Sequence, residues 1–440
     1  MGQSTFKGGT HPYEGKELSM DNPIQVMLPK EELVFSMSQH IGAPATPVVA
    51  VGDTVKMGQI IGEASGFISA NIVSSVSGEV KAVEPRLLSS GAKATCVVIA
   101  NDGKYEPIEG LGEDRDYTQL SKEEIRQIIK DAGIVGMGGA GFPTNVKVTP
   151  KNEDDIDYVI VNGAECEPYL TSDYRLMLEK PEEIVQGLKV VVSLFSNAKG
   201  VIAIEDNKPE AIAKLQYLTE DDPNLEVKVL KTKYPQGAER QIIYVVTGRK
   251  INSKMLPADA GCIVDNVQTI CAIYQAVCKR TPSMSRVVTL TGDAMAKPQN
   301  YEVKFGMSHA ELLEEGGGLS GEAVKLISGG PMMGMAMYDL NTPITKTSSS
   351  ILAMSQDEVE LYEPTNCIRC GRCGTVCPSH LVPQMMAEAA EADNLERFEK
   401  LNGMECYECG TCTYVCPAKR RLTQIFKQAR RAVMDSRKKA

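Results

Sequence analysis

The sequence predicts a multidomain α+β protein with two β-rich units, an α/β unit and a helical C-terminal unit. A chain of 440 residues is too long for one hydrophobic core. Short strand-like runs between glycines fill residues 26–100, whereas helix and strand signals alternate after residue 118. Eight of the thirteen cysteines lie within residues 367–416, where helical patterns replace strand patterns. The predicted units are residues 1–115, 116–283, 284–345 and 346–440.

Local signals predict the individual elements. The run at residues 26–100 is typical of a small β-sandwich. Ser121-Lys-Glu-Glu is a capping box that opens a helix to Ala132. Thr347-Ser-Ser-Ser precedes the final unit, in which we expect no further strands. The other predicted strands are residues 158–161, 200–204 and 286–292, and the other predicted helices are residues 181–196, 208–217, 309–315, 383–402 and 421–437.

Composition excludes a membrane-spanning chain. The longest apolar run, residues 190–195, is far shorter than the ~20 residues of a membrane helix. The N-terminus is polar and Gly-rich, unlike a signal peptide. Thirteen cysteines in such a chain indicate a reducing compartment, where thiols serve metals rather than disulfides. We therefore expect a chain on the cytoplasmic side that meets a membrane only through a partner or a surface.

Charge is distributed unevenly along the chain. The formal net charge is −10, yet residues 417–440 carry nine Lys or Arg and one Asp. A basic tail on an acidic body does not indicate a nucleic-acid binder, whose positive charge covers a folded face. The tail is either a solvated helix face or a docking contact for an acidic partner or anionic headgroups.

Two cysteine motifs predict a pair of iron–sulfur clusters. Each contains four cysteines at 2-2-3 spacing followed by Pro, which is the pattern of two-cluster ferredoxins. In those proteins the fourth cysteine of each motif binds the other cluster. One predicted [4Fe–4S] cluster is therefore bound by Cys367, Cys370, Cys373 and Cys416, and the other by Cys406, Cys409, Cys412 and Cys377.

The alternative for these motifs is a pair of zinc sites. Zinc motifs rarely use four cysteines at this spacing, and its occurrence twice favours iron–sulfur clusters. The longer separation between the motifs resembles the all-helical ferredoxin fold of respiratory dehydrogenase subunits. The other cysteines show no ligand spacing and are predicted to be buried, with Cys166 as the residue to watch.

Four segments of the α/β unit indicate a nucleotide-type ligand. Residues 136–147 form a glycine-dense loop that matches G-x-G-x-x-G, although it follows a helix rather than the first strand of a βαβ unit. Residues 161–168 lie at the end of a predicted strand, where α/β proteins bind ligands. Residues 234–240 and 265–269 follow in the same unit. A loop of bare backbone beside a lysine suits a phosphate or a flat ring.

In this order the four segments resemble the 51-kDa flavin- and NADH-binding subunit of respiratory complex I. Met137 and Ala164 depart from that family, which has Arg and Asp there. The resemblance implies that Gly136, Gly138, Gly139, Gly141 and Lys147 line the FMN phosphate and ring. It further implies that Asn162, Asn266 and Thr269 hydrogen-bond the flavin, and that Glu165, Glu167, Gly237 and Glu239 face the FMN and the nicotinamide.

Over nearly its whole length the chain resembles the RnfC family, the peripheral C subunits of Rnf ferredoxin:NAD+ oxidoreductases. The resemblance rests on Thr5-Phe-Lys-Gly-Gly-Thr-His-Pro12, the Glu-Cys-Glu-Pro segment, Gly329-Gly-Pro-Met-Met-Gly334 and the two cysteine motifs. It implies an enzyme subunit that passes electrons between NAD(H), FMN and two [4Fe–4S] clusters. The implied partners are membrane subunits that move Na+ or H+ and a ferredoxin-type iron–sulfur subunit, at the cytoplasmic face of the cell membrane.

The flanking units resemble known small domains. Residues 51–62 and 76–80 resemble a lipoyl-type barrel-sandwich hybrid, but residues 66–71 hold no lysine for a covalent carrier group. Residues 286–337 resemble an SLBB, β-grasp-like domain. The Ser/Asp-Gly-Ala-Thr sequence that attaches flavin covalently in other Rnf subunits is absent. Any FMN is therefore expected to bind non-covalently.

Two alternatives remain open from the sequence. A cobalamin reductase of similar architecture would hand electrons to a corrinoid. A non-catalytic relay subunit would keep the clusters but not a working flavin site, and the departures at Met137 and Ala164 leave room for this interpretation.

Overall fold

The computed structural model describes residues 4–357 and 359–439. Its N-terminal β-unit packs a four-stranded antiparallel sheet, in the order β2-β8-β7-β4, against a three-stranded sheet, β3-β5-β6. Leu33, Ile61 and Ile99 lie in its core, which Met137 and Phe305 from other units complete. The strands are β1 (Gln25–Met27), β2 (Glu32–Ser36), β3 (Thr46–Pro47), β4 (Thr54–Val55), β5 (Ile60–Glu63), β6 (Ile72–Val73), β7 (Gly78–Leu87) and β8 (Lys93–Asn101).

The α/β unit contains a parallel sheet in the order β11-β10-β9-β12. The chain order reverses between β9 and β12, and α/β proteins bind ligands beyond the carboxyl ends of strands at such a point. The elements are α1 (Lys122–Asp131), α2 (Thr144–Lys147), β9 (Tyr158–Gly163), α3 (Ser172–Glu179), α4 (Pro181–Val192), β10 (Lys199–Glu205), α5 (Pro209–Thr219), β11 (Leu225–Leu230), α6 (Glu239–Thr247), β12 (Cys262–Asn266) and α7 (Val267–Lys279).

The predicted capping box at Ser121 is present. The Ser121 hydroxyl accepts the Glu124 N–H at 3.2 Å, and the Glu124 carboxylate accepts the Ser121 N–H at 2.7 Å. Satisfying these amide groups fixes the start of α1. The helix therefore begins where the local sequence predicts.

The second β-unit is built on a six-stranded sheet in the order β1-β14-β13-β17-β15-β16. The prediction that strands end before residue 346 is wrong, because β17 lies in the middle of this sheet between β13 and β15. The sheet also takes up β1 from the N-terminal segment. The elements are β13 (Ser285–Thr291), β14 (Gln299–Lys304), α8 (His309–Glu315), β15 (Lys325–Ser328), β16 (Met335–Ala336) and β17 (Ser350–Met354).

The cysteine-rich unit is helical, around a core of Met386, Phe398 and Phe426. The helix predicted at residues 383–402 is two helices, because Asp393 adopts positive φ and Asn394 caps a new start. The helices are α9 (Arg372–Val376), α10 (Pro383–Glu391), α11 (Leu395–Lys400), α12 (Thr411–Tyr414) and α13 (Leu422–Lys439). Within the described residues, short 3-10 turns lie at Lys16–Leu18, Tyr117–Gln119, Glu153–Asp155, Pro257–Ala260 and Gly403–Glu405.

Among the helices of the described residues, none is both long and apolar enough to cross a membrane.

Lys346 joins three units at one buried point. Its side chain is 1% exposed, and Nζ donates to Asn71 O at 2.7 Å and to Gly133 O at 2.6 Å. Burial lowers the pKa of Lys346 to about 7. A neutral amine has two N–H groups, which match the two carbonyl acceptors. The junction is therefore satisfied without a charge.

This junction predicts a specific pH dependence of stability. Between the folded pKa of about 7 and the ordinary value of 10.5, the unfolded chain binds more protons at Lys346, so this residue increases stability as pH rises. Lys346→Met removes that dependence. The thermal midpoint of the wild type minus that of K346M should increase between pH 7 and about pH 10. A constant difference would contradict a neutral buried amine.

Candidate flavin cleft and two cysteine cavities

The carboxyl ends of β9 and β12 form the floor of a cleft. Asn162 and Asn266 are register partners at these strand ends. Asn162 Nδ2 donates to Gly237 O at 2.8 Å, while Asn266 caps α7 and its Nδ2 donates to Asp173 Oδ2 at 2.6 Å. Two predicted flavin contacts, together with Gly237, therefore lie at the switch point of the sheet.

The glycine loop forms one wall of this cleft. Gly136 N–H donates to Phe142 O at 2.9 Å and closes the loop, whose tip at residues 138–140 is exposed. A Cβ added at Gly138 would lie 2.7 Å from Asn266 Cβ, whereas one at Gly139 would meet no atom within 4 Å. Gly138 thus permits close approach to β12, and Gly139 leaves bare backbone facing open space.

Met137 anchors this loop to the rest of the protein. Its side chain is 2% exposed in the core of the N-terminal β-unit, and its N–H donates to Thr269 Oγ1 at 2.9 Å. Gly141, at the far end of the loop, packs against Gln39 and Thr347. Met137 and Thr269 therefore hold the loop from behind, and the predicted contact of Thr269 with flavin stays a prediction.

Charged groups lie beside the glycine loop, since a Cβ added at Gly136 would lie 3.4 Å from Lys147 Nζ. Lys147 Nζ contacts Asp265 Oδ1 at 3.0 Å and donates to Val264 O at 2.9 Å. Burial raises the pKa of Asp265, and the neighbouring Lys147 opposes this shift. Asp265 Oδ2 is buried and has no hydrogen-bond partner within the described residues. Glu239 begins α6 and is exposed. Nearby protein atoms exclude part of its hydration, which raises the pKa of Glu239, and Lys147 opposes this shift.

The Glu-Cys-Glu segment is held mainly by contacts within the protein. Glu165 Oε1 accepts the Asp173 N–H of α3 at 2.7 Å, and burial raises the Glu165 pKa to about 7. Glu167 Oε1 accepts the Met332 and Met333 N–H groups at 2.7 and 3.0 Å. Their predicted orientation toward the nicotinamide therefore stays a prediction.

Two buried lysines support this segment, and sequence motifs did not reveal them. Lys16 Nζ donates to the carbonyls of Glu165 and Leu170 at 2.9 and 2.6 Å. Lys208 Nζ donates to Ala164 O at 2.7 Å. Lys16 is 7% and Lys208 1% exposed. Each lysine lies far from the segment in sequence, so no local pattern indicates the contact.

The eight motif cysteines line two separate cavities. The first has an empty volume of about 400 Å³ and the second about 340 Å³, both partly open to solvent. The first is the exposed set, since Cys367 and Cys370 are exposed. The second is the buried set, in which three cysteines are each 8% exposed. The exposed set comprises Cys367, Cys370, Cys373 and Cys416, and the buried set Cys377, Cys406, Cys409 and Cys412.

The residues fit iron–sulfur clusters better than single metal ions. Within residues 4–357 and 359–439, no three Cys, His, Asp or Glu side chains converge enough to hold one metal ion. In a [4Fe–4S] cluster the four thiolates surround a cluster of four irons, which requires a lined cavity. His380, next to the motifs, is exposed. Of the five remaining cysteines, Cys96, Cys262, Cys271 and Cys278 are buried, whereas Cys166 is half-buried.

The cleft likewise fits a flat ligand bearing phosphate. The cleft is bordered by exposed backbone at the glycine loop, by the amide of Asn162 and by the Lys147–Asp265 pair. The unpartnered Asp265 Oδ2 offers an acceptor for a hydrogen-bond donor. FMN, which combines a phosphate with a hydrogen-bonding ring, suits this donor and acceptor set.

Family sequence models match four consecutive stretches of the chain. The RnfC barrel sandwich hybrid domain matches residues 4–104, and the Nuo51 FMN-binding domain matches residues 129–275. The SLBB domain matches residues 287–336, and the 4Fe-4S dicluster domain matches residues 360–417. They follow one another in the order of the units described above.

Whole-chain relatives decide the family. The C subunit of the Na+-translocating ferredoxin:NAD+ oxidoreductase complex of Acetobacterium woodii is 42% identical over 435 residues, covering 99% of this chain and 98% of the relative. This chain belongs to the RnfC family. The C subunit of a proton-translocating ferredoxin:NAD+ oxidoreductase complex from Clostridium ljungdahlii is 43% identical and covers 96% of this RnfC chain and 92% of the relative. The C subunit of the ion-translocating oxidoreductase complex of Vibrio cholerae is 39% identical over 90% of this chain and 52% of the longer relative.

Solved structures show a similar fold. An NAD+-reducing [NiFe]-hydrogenase in the H2-reduced state matches with a TM-score of 0.51 and 18% identity, covering 72% of this RnfC chain and 63% of that chain. The air-oxidised form matches with a TM-score of 0.51 and 20% identity, covering 68% and 57%.

These findings confirm the predicted fold class, the RnfC resemblance and the cofactor classes FMN and [4Fe–4S]. The chain is one component of an ion-translocating ferredoxin:NAD+ oxidoreductase, and NAD(H) binding is consistent with its Nuo51-type domain. The cobalamin reductase and relay alternatives are not favoured. The unit boundaries and the individual site residues stay predictions.

The ligand sets can be tested with paired alanine variants. If the sets are those lining the two cavities, Cys370→Ala with Cys416→Ala removes two ligands of one cluster and leaves the other intact. Cys370→Ala with Cys377→Ala removes one ligand from each cluster. After anaerobic purification, the first variant should retain one intact cluster, with about four irons per chain. The second variant should retain no intact cluster. An intact cluster in the second variant but not in the first would contradict the sets.

Proposed function

We propose that this chain exchanges electrons with NAD(H) at the cleft and with a partner subunit at the exposed cysteine set. The observation that supports this order is the difference between the two sets. The buried set adjoins the α/β unit through Tyr234 and Gln241, whereas Cys367 and Cys370 of the exposed set are exposed. The chain would work at the cytoplasmic face of the cell membrane, bound to the membrane subunits of an Rnf complex.

The cofactors explain why both sites belong to one chain. FMN, when bound, exchanges an electron pair with NAD(H) and single electrons with iron–sulfur clusters. The chain's part is to hold these groups in place. The proposed flavin residues are Gly136, Gly138, Gly139, Gly141, Lys147, Asn162, Gly237, Glu239 and Asn266, with Glu165, Glu167 and Thr269 supporting them from behind.

Several side chains of the α/β unit contact residues of the cysteine-rich unit in or beside the buried set. Tyr234 OH donates to Cys409 O at 2.8 Å. Gln241 Nε2 donates to Pro378 O at 3.1 Å, and Arg240 Nη1 contacts Glu405 Oε2 at 2.8 Å. Tyr234 lies on the segment that leads to Gly237 in the cleft. The buried set is therefore the one nearer to the proposed flavin site.

The surface around the exposed set suits an acidic partner. Arg369, Arg372, Lys419 and Arg421 are exposed there, and none of them has an ion-pair partner within the described residues. Ile368, 67% exposed, lines the same cavity. Apolar contact with a basic rim on an otherwise acidic chain favours an acidic iron–sulfur subunit.

The proposed order predicts an asymmetry between cluster-deficient variants. Mixing with NADH should reduce the remaining cluster in C370A/C416A, which keeps the buried set. In C377A/C409A, which keeps only the exposed set, reduction should be about tenfold slower or absent. Electron paramagnetic resonance after rapid freezing measures both, and dithionite reduction confirms that the remaining cluster is intact. Equal rates would refute the order.

The basic surface predicts a charge effect on partner transfer. Arg369→Glu with Arg372→Glu should slow reduction of an acidic ferredoxin-type partner about tenfold or more at low salt, and less at high salt. Lys93→Glu with Lys104→Glu changes the net charge equally on the N-terminal β-unit and serves as control. NADH reduction of the chain's own clusters should not change. Equal slowing in both variants would show that only net charge matters.

A further inference from the structure

Two glycine motifs have no role in the function proposed above. Gly8-Gly9 lies in the N-terminal segment and Gly329–Gly334 follows β15 in the second β-unit. Both segments contact the cysteine-rich unit beside the buried set. Their position suggests that they fix where this set lies.

The N-terminal segment contacts both the cysteine-rich unit and the α/β unit. Gly9 N–H donates to Val376 O at 2.8 Å, and a Cβ at Gly8 would lie 2.9 Å from Cys377 O. Thr10 and Tyr234 exchange two backbone hydrogen bonds of 2.8 and 2.9 Å. Glycine at position 8, which has φ of +96°, is needed for this approach.

The second motif makes a similar bridge from the other side. A Cβ at Gly410, beside Cys409, would lie 3.0 Å from Met332 O. The loop that carries Met332 is fixed by Glu167, whose Oε1 accepts the Met332 and Met333 N–H groups. A side chain at Gly330 would overlap that of Glu167. One carboxylate oxygen thus ties this loop to the segment bordering the flavin cleft.

Tyr234 completes the contact between cleft and cysteines. It is 2% exposed, and its hydroxyl donates to the carbonyl of Cys409. The Tyr234 backbone is paired with the N-terminal segment, so Tyr234 contacts both that segment and the cysteine-rich unit.

We propose that Glu167 and Tyr234 are positioning residues, which hold the buried cysteine set at a fixed separation from the flavin cleft. This inference rests on the proposed function only in taking the buried set as the one nearer the flavin. It assigns Glu167 a role other than the nicotinamide contact that the complex I resemblance implies.

The two roles of Glu167 require different chemistry. Fixing the Met332 loop requires an oxygen that accepts two N–H groups, and a glutamine oxygen can do so. A role toward a charged or hydride-donating ligand requires the carboxylate. Glu167→Gln should therefore preserve positioning, whereas Glu167→Ala should lose it.

The experiment compares E167A, E167Q and Y234F with the wild type in the holoprotein, with Y301F as a matched buried-tyrosine control. Hydrogen exchange of the Met332 and Met333 amides should be about tenfold faster in E167A and unchanged in E167Q. After mixing with NADH, cluster reduction should be about tenfold slower in E167A and Y234F. E167Q and Y301F should match the wild type.

Three results would overturn the inference. Equal impairment of E167Q and E167A, with slower flavin bleaching by NADH, would assign Glu167 to the nicotinamide. Unchanged cluster reduction in E167A and Y234F would show that neither residue positions the set. Faster amide exchange without slower cluster reduction would give Glu167 a purely structural role. Failure of NADH to reduce clusters in the wild type would instead refute the proposed function.

Discussion

The attachment of the buried cysteine set to the α/β unit is the constraint on which the rest of the structure depends. The carbonyls of Cys409, a predicted cluster ligand, and of Pro378, next to the predicted ligand Cys377, accept hydrogen bonds from Tyr234 and Gln241. These contacts are buried and directional, so they fix a helical cysteine-rich unit against an α/β unit that could otherwise move independently. The exposed set, by contrast, is held within its own unit and remains open to a partner.

The other two units serve this attachment. The N-terminal segment lies between Tyr234 and Val376, and the second β-unit places Met332 on Gly410. Met137 reaches from the glycine loop into the core of the N-terminal β-unit, where the complex I family has an arginine. In this chain the residue at that position is an apolar anchor between units. The backbone of residues 138–140 stays exposed in the cleft.

Local signals predicted much of this arrangement, because capping boxes, strand runs and cysteine spacing act within a few residues. The start of α1 and the parallel strands near residues 158 and 200 are examples. The central strand β17 escaped prediction, since its polar Ser-rich approach resembles a loop and its partners lie far away in sequence. Lys16, Lys346 and the Glu167–Met332 contact escaped for the same reason: each joins positions more than a hundred residues apart. Such contacts depend on tertiary packing and leave no periodic pattern.

The most direct test of this account is the order in which the two clusters of the wild-type holoprotein are reduced after mixing with NADH. Rapid-freeze electron paramagnetic resonance can follow both, with each cluster's signal identified from a variant that retains only that cluster. If the α/β unit delivers electrons through its contacts with Cys409 and Pro378, the earliest spectra should contain the signal of the buried set, and that of the exposed set should follow. Reduction of the exposed set first would contradict the account.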